Sequence, residues 1–107
     1  MARTEARQVA EMIDIVKKDA RGRGALIDDK GQPCALGALF QAAGEQRLGV
    51  PGVRPKLFRL FRRFPVLRYG CRVREVWVTN DTYIDVRSRR KALIALFKSW
   101  LPVGRWT

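Results

Sequence analysis

The chain has 107 residues, of which 47% are hydrophobic, and contains no histidine. That length suits one domain with its own core, and the missing histidine excludes Ser-His and Cys-His nucleophilic chemistry and most zinc catalysis. Net charge is +12, from 22 Lys/Arg against 10 Asp/Glu; a field of that size draws polyanions and steers association, and says nothing of fold.

Thr4 is placed to cap a first helix running to about Asp19, in which Val9, Met12, Ile13 and Val16 fall at i, i+3, i+4 and i+7. ARGRG, residues 20–24, ends it. ALIDDKGQPC then reads as a short strand, a turn over Asp28–Gly31 and a return towards Cys34. CALGALFQAAG predicts a compact buried helix. Leu36, Leu39, Phe40 and Ala43 share one face, Ala35, Gly37 and Ala38 permit close approach of another backbone, and Gly44 makes a fitting stop.

EQRLGVPGVRP, residues 45–55, is a Gly/Pro-punctuated connection. Pro55 suits the first position of a helix over about 55–64, and Pro65 limits it. On a helical wheel Leu57, Leu60, Phe61 and Phe64 gather on the side assigned to the core, with Lys56, Arg59, Arg62 and Arg63 opposite. Val73–Val86 is rich in Val, Trp, Thr, Tyr and Ile and predicts a β-hairpin turning at Asn80-Asp81. Ser88 is the expected N-cap of a last helix with a Leu93, Leu96, Phe97, Trp100 stripe ending at Pro102. The expected fold is a mainly α, compact single domain, residues 1–107, of about four helices with a short β-hairpin. Residues 102–107 are expected as a short tail, with Trp106 available to dock it.

The strongest functional signal is charge. Gln46 to Arg74 holds nine Lys/Arg and no acid over 29 residues, more than an ordinary solvated helix face requires. No helix-turn-helix, zinc-finger, RRM or KH signature accompanies it, so contact with phosphates rather than bases is expected. The residues assigned to it are Lys56, Arg59, Arg62, Arg63 and Arg68. Arg89 and Arg90 come second, as an anion site at the start of the last helix, where neutralisation by Asp81 and Asp85 is the favoured alternative. A membrane-surface role for the same basic helix would strip Leu57, Leu60, Phe61 and Phe64 from a small core, and is not expected.

Catalytic constellations are thin: of the carboxylates that could pair, Asp14, Asp19, Asp81 and Asp85 read as solvent-facing. Asp28-Asp29 reads as turn chemistry, and GRG and GALG match neither phosphate-loop nor dinucleotide spacing. Two cysteines, Cys34 and Cys71, are too few for structural zinc. They are expected as free, buried thiols in a reducing cytosol, a disulfide between them being the sharper alternative. Cys34, close to a helix start, reads as a buried structural thiol rather than a nucleophile. No stretch approaches 18 apolar residues and MARTEARQVAEMI lacks an apolar run, so neither signal peptide nor membrane span is expected. No cofactor or metal is implied.

Gly24-Ala25-Leu26, Asp28, Gly31, the CALGAL run from Cys34 to Leu39, Asn80-Asp81 and Arg87-Ser88 together resemble a family of small actinobacterial and actinobacteriophage proteins with no established activity. Thr79 stands where that family has Trp, with Trp77 two places earlier. The resemblance implies a compact, mainly helical fold in a bacterial or phage setting, and its motif residues look architectural. Asn80 and Asp81 are assigned to capping or bracing the start of the Cys34 helix. The function expected is a non-enzymatic, cytoplasmic basic accessory protein binding nucleic acid or a nucleoprotein machine such as a ribosome or polymerase. The alternative is a module that modulates a host protein through an acidic patch.

Overall fold

The computed structural model describes residues 4–102. Thr4 Oγ1 accepts from Arg7 N at 3.2 Å and opens α1, Glu5–Lys18. The Val9, Met12, Ile13, Val16 stripe of α1 is buried as its spacing predicts. Then follow α2 (Ala35–Ala42), α3 (Leu57–Arg63), a 3₁₀ turn (Pro65–Arg68), α4 (Arg72–Thr82) and α5 (Val86–Ser99). The expected helices are present, and a fifth replaces the expected hairpin.

That hairpin is the main correction. Val73–Val86 holds no strand; residues up to Thr82 form α4, with Asn80 and Asp81 in its last turn. Val and Thr disfavour helix by only about half a kcal/mol each, and tertiary contacts outweigh that. Val73, Val76 and Asn80 fall at i, i+3 and i+7 and face the interior. The run Val76-Trp77-Val78, which breaks strand alternation, is therefore helical periodicity. Residues 25–34 make a single antiparallel bridge, Ile27 with Pro33, around the predicted turn. Asp28 Oδ1 holds that turn by accepting from Lys30 N and Gln32 N at 2.9 and 2.8 Å.

Two helix starts differ from expectation. Asp85, not Ser88, caps α5: its Oδ2 accepts from Ser88 N at 2.8 Å, and a carboxylate at a helix start is favoured by both charge and geometry. α3 begins at Leu57 rather than Pro55, with Lys56 in the cap position and no side-chain cap bond.

The core packs Met12 and Val16 of α1, Leu39 and Phe40 of α2, Leu60 and Phe64 near α3, and Phe97 of α5. Leu57, expected there, is 47% exposed and Phe61 only half-buried. α3 is seven residues long, and the Leu60/Phe64 pair points it at the core, leaving its first turn uncovered. Gln8 is buried, and its Oε1 accepts from Val66 N at 2.7 Å, tying α1 to the 3₁₀ turn. Gly37 lies against the backbone of Leu26 so closely that a Cβ there would collide with the Leu26 carbonyl. This is the close approach expected of the small-residue helix. Both cysteines are free; Cys34 is buried, whereas Cys71 is exposed rather than buried. Trp106 and its docking lie outside the described residues.

Candidate functional site

α3 brings Lys56, Arg59, Arg62 and Arg63 to one exposed face. The connection before it adds Arg47 and Arg54, which belong to the acid-free run but not to the residues first assigned to contact. A depression of about 410 Å³ is lined by Arg47, Arg54, Lys56 and Arg59 together with Gly44 and Glu45. A second, of about 690 Å³, lies between Ala42–Gly44 at the end of α2 and Phe58, Arg59, Arg62 and Arg63. The two share Gly44 and Arg59, so they form one continuous cationic surface.

Glu45 shapes this surface from beneath. Its Oε1 accepts from Arg47 N at 3.2 Å and its Oε2 from Lys56 N at 3.3 Å, closing the 45–56 connection like a clasp. These backbone N–H groups, first that of Arg47, hold the carboxyl below the usual range, with Arg59 adding to the effect. Glu45 is 5% exposed and its carboxylate is committed to the chain, so it orders the loop more than it quenches the face. Arg59 Nη1 donates to Gly44 O at 3.3 Å, fixing its stem over the end of α2. Arg63 pairs with Glu11 at 3.4 Å, which ties one edge of the face to α1.

Arg68 does not join this group. It stands in the 3₁₀ turn, at the rim of an apolar trough on the other side of α3.

Arg89 and Arg90 are also elsewhere, and Arg89 is a correction to the anion-site assignment. Arg89 is only 2% exposed. Its guanidinium donates to five backbone carbonyls: Tyr83 and Ile84 at 2.9 Å each, Ala20 at 2.9 Å, Arg21 at 3.0 Å and Gly22 at 3.2 Å. Burial, the largest influence, moves its pKa below the ordinary value, with the neighbouring Arg23 acting in the same sense. Arg90 donates to Asp19 O at 3.0 Å and Lys18 O at 3.2 Å. Arg90 thus caps the carbonyl end of α1, where a cation complements the negative end of the helix dipole, while Arg89 ties the loop after α1 to the α4–α5 connection. Buried, and with most of its donors on backbone carbonyls, Arg89 is not presented to an outside anion.

The architectural residues converge on the same loop. Asn80, fully buried, accepts on Oδ1 from Ala35 N at 3.0 Å and donates through Nδ2 to Gly22 O at 3.1 Å. It therefore braces the first turn of α2, as assigned. Asp81 acts one step away: its Oδ1 accepts from Gly24 N at 3.0 Å and its Oδ2 from Trp77 Nε1 at 2.8 Å. Cys34 is the N-cap of α2, its Sγ accepting from Gly37 N at 3.3 Å. Burial, outweighing that bond, pushes the thiol pKa up, the opposite of an activated nucleophile. Ser88 sits in the first turn of α5 as the donor to the Asp85 cap.

No group of three or more metal-ligating side chains occurs among the described residues, and no helix there is long and apolar enough to cross a membrane. Comparison of the chain with family models, with curated proteins and with solved structures found no match.

Proposed function

We propose that the chain is a non-enzymatic accessory protein that binds the phosphate backbone of nucleic acid, free or within a nucleoprotein, through the face built on α3. The observation that carries this reading is the continuous pair of depressions edged by Arg47, Arg54, Lys56, Arg59, Arg62 and Arg63. The one acid in the lining, Glu45, is bonded to the loop beneath them, and Glu11 of α1 pairs with Arg63 at the edge. Clustered cations release counterions when they meet phosphates, which supplies affinity without reading sequence. No Asn side chain lines either depression, and Gln46 is the sole amide there, so base-specific contact has little to work with. We assign this role to a bacterial cytosol, a setting that the resemblance of the CALGAL and Asn80-Asp81 segments to small actinobacterial and phage proteins supports.

Anisotropy titrations with fluorescent single-stranded and duplex oligonucleotides test it. The wild type is expected to bind both with similar affinity regardless of sequence. An Arg54→Glu/Arg59→Glu/Arg62→Glu variant of unchanged fold is expected to lose most of that affinity. Equal binding by the two proteins would refute the assignment of this face.

A further inference from the structure

On the other side of α3 the fold leaves an apolar trough of about 400 Å³ open. Leu36 and Leu67, 8% and 1% exposed, form its floor. Leu57 and Phe61 of α3 make one wall, and Val73 and Trp77 of α4 the other. Leu57 and Trp77 remain 47% and 53% exposed. Apolar area left in water forgoes about 25 cal/mol per Å², and contiguous exposed apolar surface marks an interaction site more often than scattered single residues do. Arg68 and Arg74, both exposed, stand at the rim.

We propose that this trough receives an acidic amphipathic α-helix of a partner protein. An apolar ridge at i, i+3 or i+4, and i+7 would enter between α3 and α4, and flanking carboxylates would meet Arg68 and Arg74. Charge complementarity argues for an acidic occupant, because the chain from Gln46 to Arg74 builds α3, the 3₁₀ turn and the start of α4 without one acid. Glu75, next in sequence, turns towards α5, where its Oε2 accepts from Trp100 Nε1 at 3.2 Å, and Asp81, bonded to the Trp77 ring N–H, is engaged by Gly24 N as well. A second copy of this chain would set arginine rims against each other, a repulsive like-charge contact. A bilayer surface is flat and cannot reach the recessed Leu36 and Leu67, whereas a helix ridge can. Nucleic acid is poorly served as well: phosphates gain nothing from the apolar floor and walls, and only the two rim arginines would meet them. This inference concerns a different surface from the phosphate-binding face and does not rest on it.

Cys71 gives the test a local reporter, since it lines the trough and is exposed while Cys34 is buried. The probe is a fluorescein-labelled synthetic peptide of about 18 residues, five helical turns, with leucines on one stripe and glutamates elsewhere. Its control is the same composition scrambled to destroy the stripe. The striped peptide is expected to bind and to slow modification of Cys71 by a thiol reagent. Both Leu57→Asp and Arg68→Glu are expected to weaken it by roughly tenfold, about 1.4 kcal/mol. Equal binding of the scrambled peptide, or no effect of Leu57→Asp, overturns the proposal. So does protection of Cys71 by anionic phosphatidylserine vesicles, by an oligonucleotide or by self-association where the striped peptide gives none.

Discussion

Asn80 Oδ1 accepts the backbone N–H of Ala35 at 3.0 Å across 45 residues of chain, while its Nδ2 donates to Gly22 O at 3.1 Å. One fully buried amide thereby joins the last turn of α4, the first turn of α2 and the loop that follows α1. Arg89 completes the join from α5, since its Nη1 reaches the same Gly22 carbonyl. The four elements meet on two side chains, both polar and both satisfied.

Asn80→Ala should therefore cost about 2–4 kcal/mol, because it strands the Ala35 N–H in a buried site and removes a donor from Gly22. Asn80→Asp should also destabilise: it keeps the acceptor, loses the donor and places a second carboxylate beside Asp81. Urea denaturation midpoints at constant slope measure both. A wild-type midpoint for Asn80→Ala would remove Asn80 from its bracing role.

Arg89→Lys separates the architectural role of Arg89 from an anion site. Lysine keeps the charge but lacks the planar fork that spans five carbonyls, so a loss of about 2–4 kcal/mol is expected. Arg90→Lys, at a half-exposed site with two carbonyl partners, should cost under about 1 kcal/mol. A stable Arg89→Lys that had lost polyanion binding would restore the anion-site assignment.

Gly37→Ala tests the close approach of α2 to Leu26. In an open helix interior the change gains about 1 kcal/mol. Here the new methyl meets a backbone carbonyl that cannot swing aside, and overpacking of this kind costs about 1–3 kcal/mol. The sign should reverse, to a net loss in thermal melts.

These elements were unequally legible in the sequence. The α1 stripe and the small-residue character of α2 could be read because each lies within one helix and obeys its period. Asn80 was found through the motif resemblance, although composition placed it in a hairpin turn. The hairpin itself misled because β-branched and aromatic residues carry weak propensities that a half-buried helix overrides. Arg89 was misread for a different reason: the carbonyls it caps belong to Ala20, Arg21 and Gly22, almost 70 residues away, and no local pattern announces them. Leu57 and Glu45 depend likewise on what the fold leaves uncovered or brings within reach. The basic run was legible only as far as α3 itself: Lys56, Arg59, Arg62 and Arg63 share its face, whereas the 3₁₀ turn carries Arg68 to the other side and the preceding loop brings in Arg47 and Arg54.

Acid should weaken the fold through two clasps. Glu45 and Asp85 both have pKa values lowered from the ordinary 4.5 and 3.8, chiefly by backbone N–H groups of Arg47 and Ser88. A lowered folded-state pKa adds stability that is present above the unfolded value and is lost as pH falls through the folded one. Melting temperature should therefore hold from pH 7 to about 5 and then fall. A Glu45→Gln/Asp85→Asn variant should melt lower at pH 7 and show a shallower acid decline. Parallel acid limbs in the two proteins would contradict this.

The central claim, that the α3 face meets phosphates, is tested most directly by the salt dependence of oligonucleotide binding. The logarithm of affinity against the logarithm of salt concentration should be linear and steep for the wild type. The slope should drop by roughly one for each of Arg54, Arg59 and Arg62 changed to Glu. A flat wild-type slope, or a variant slope equal to that of the wild type, would contradict it.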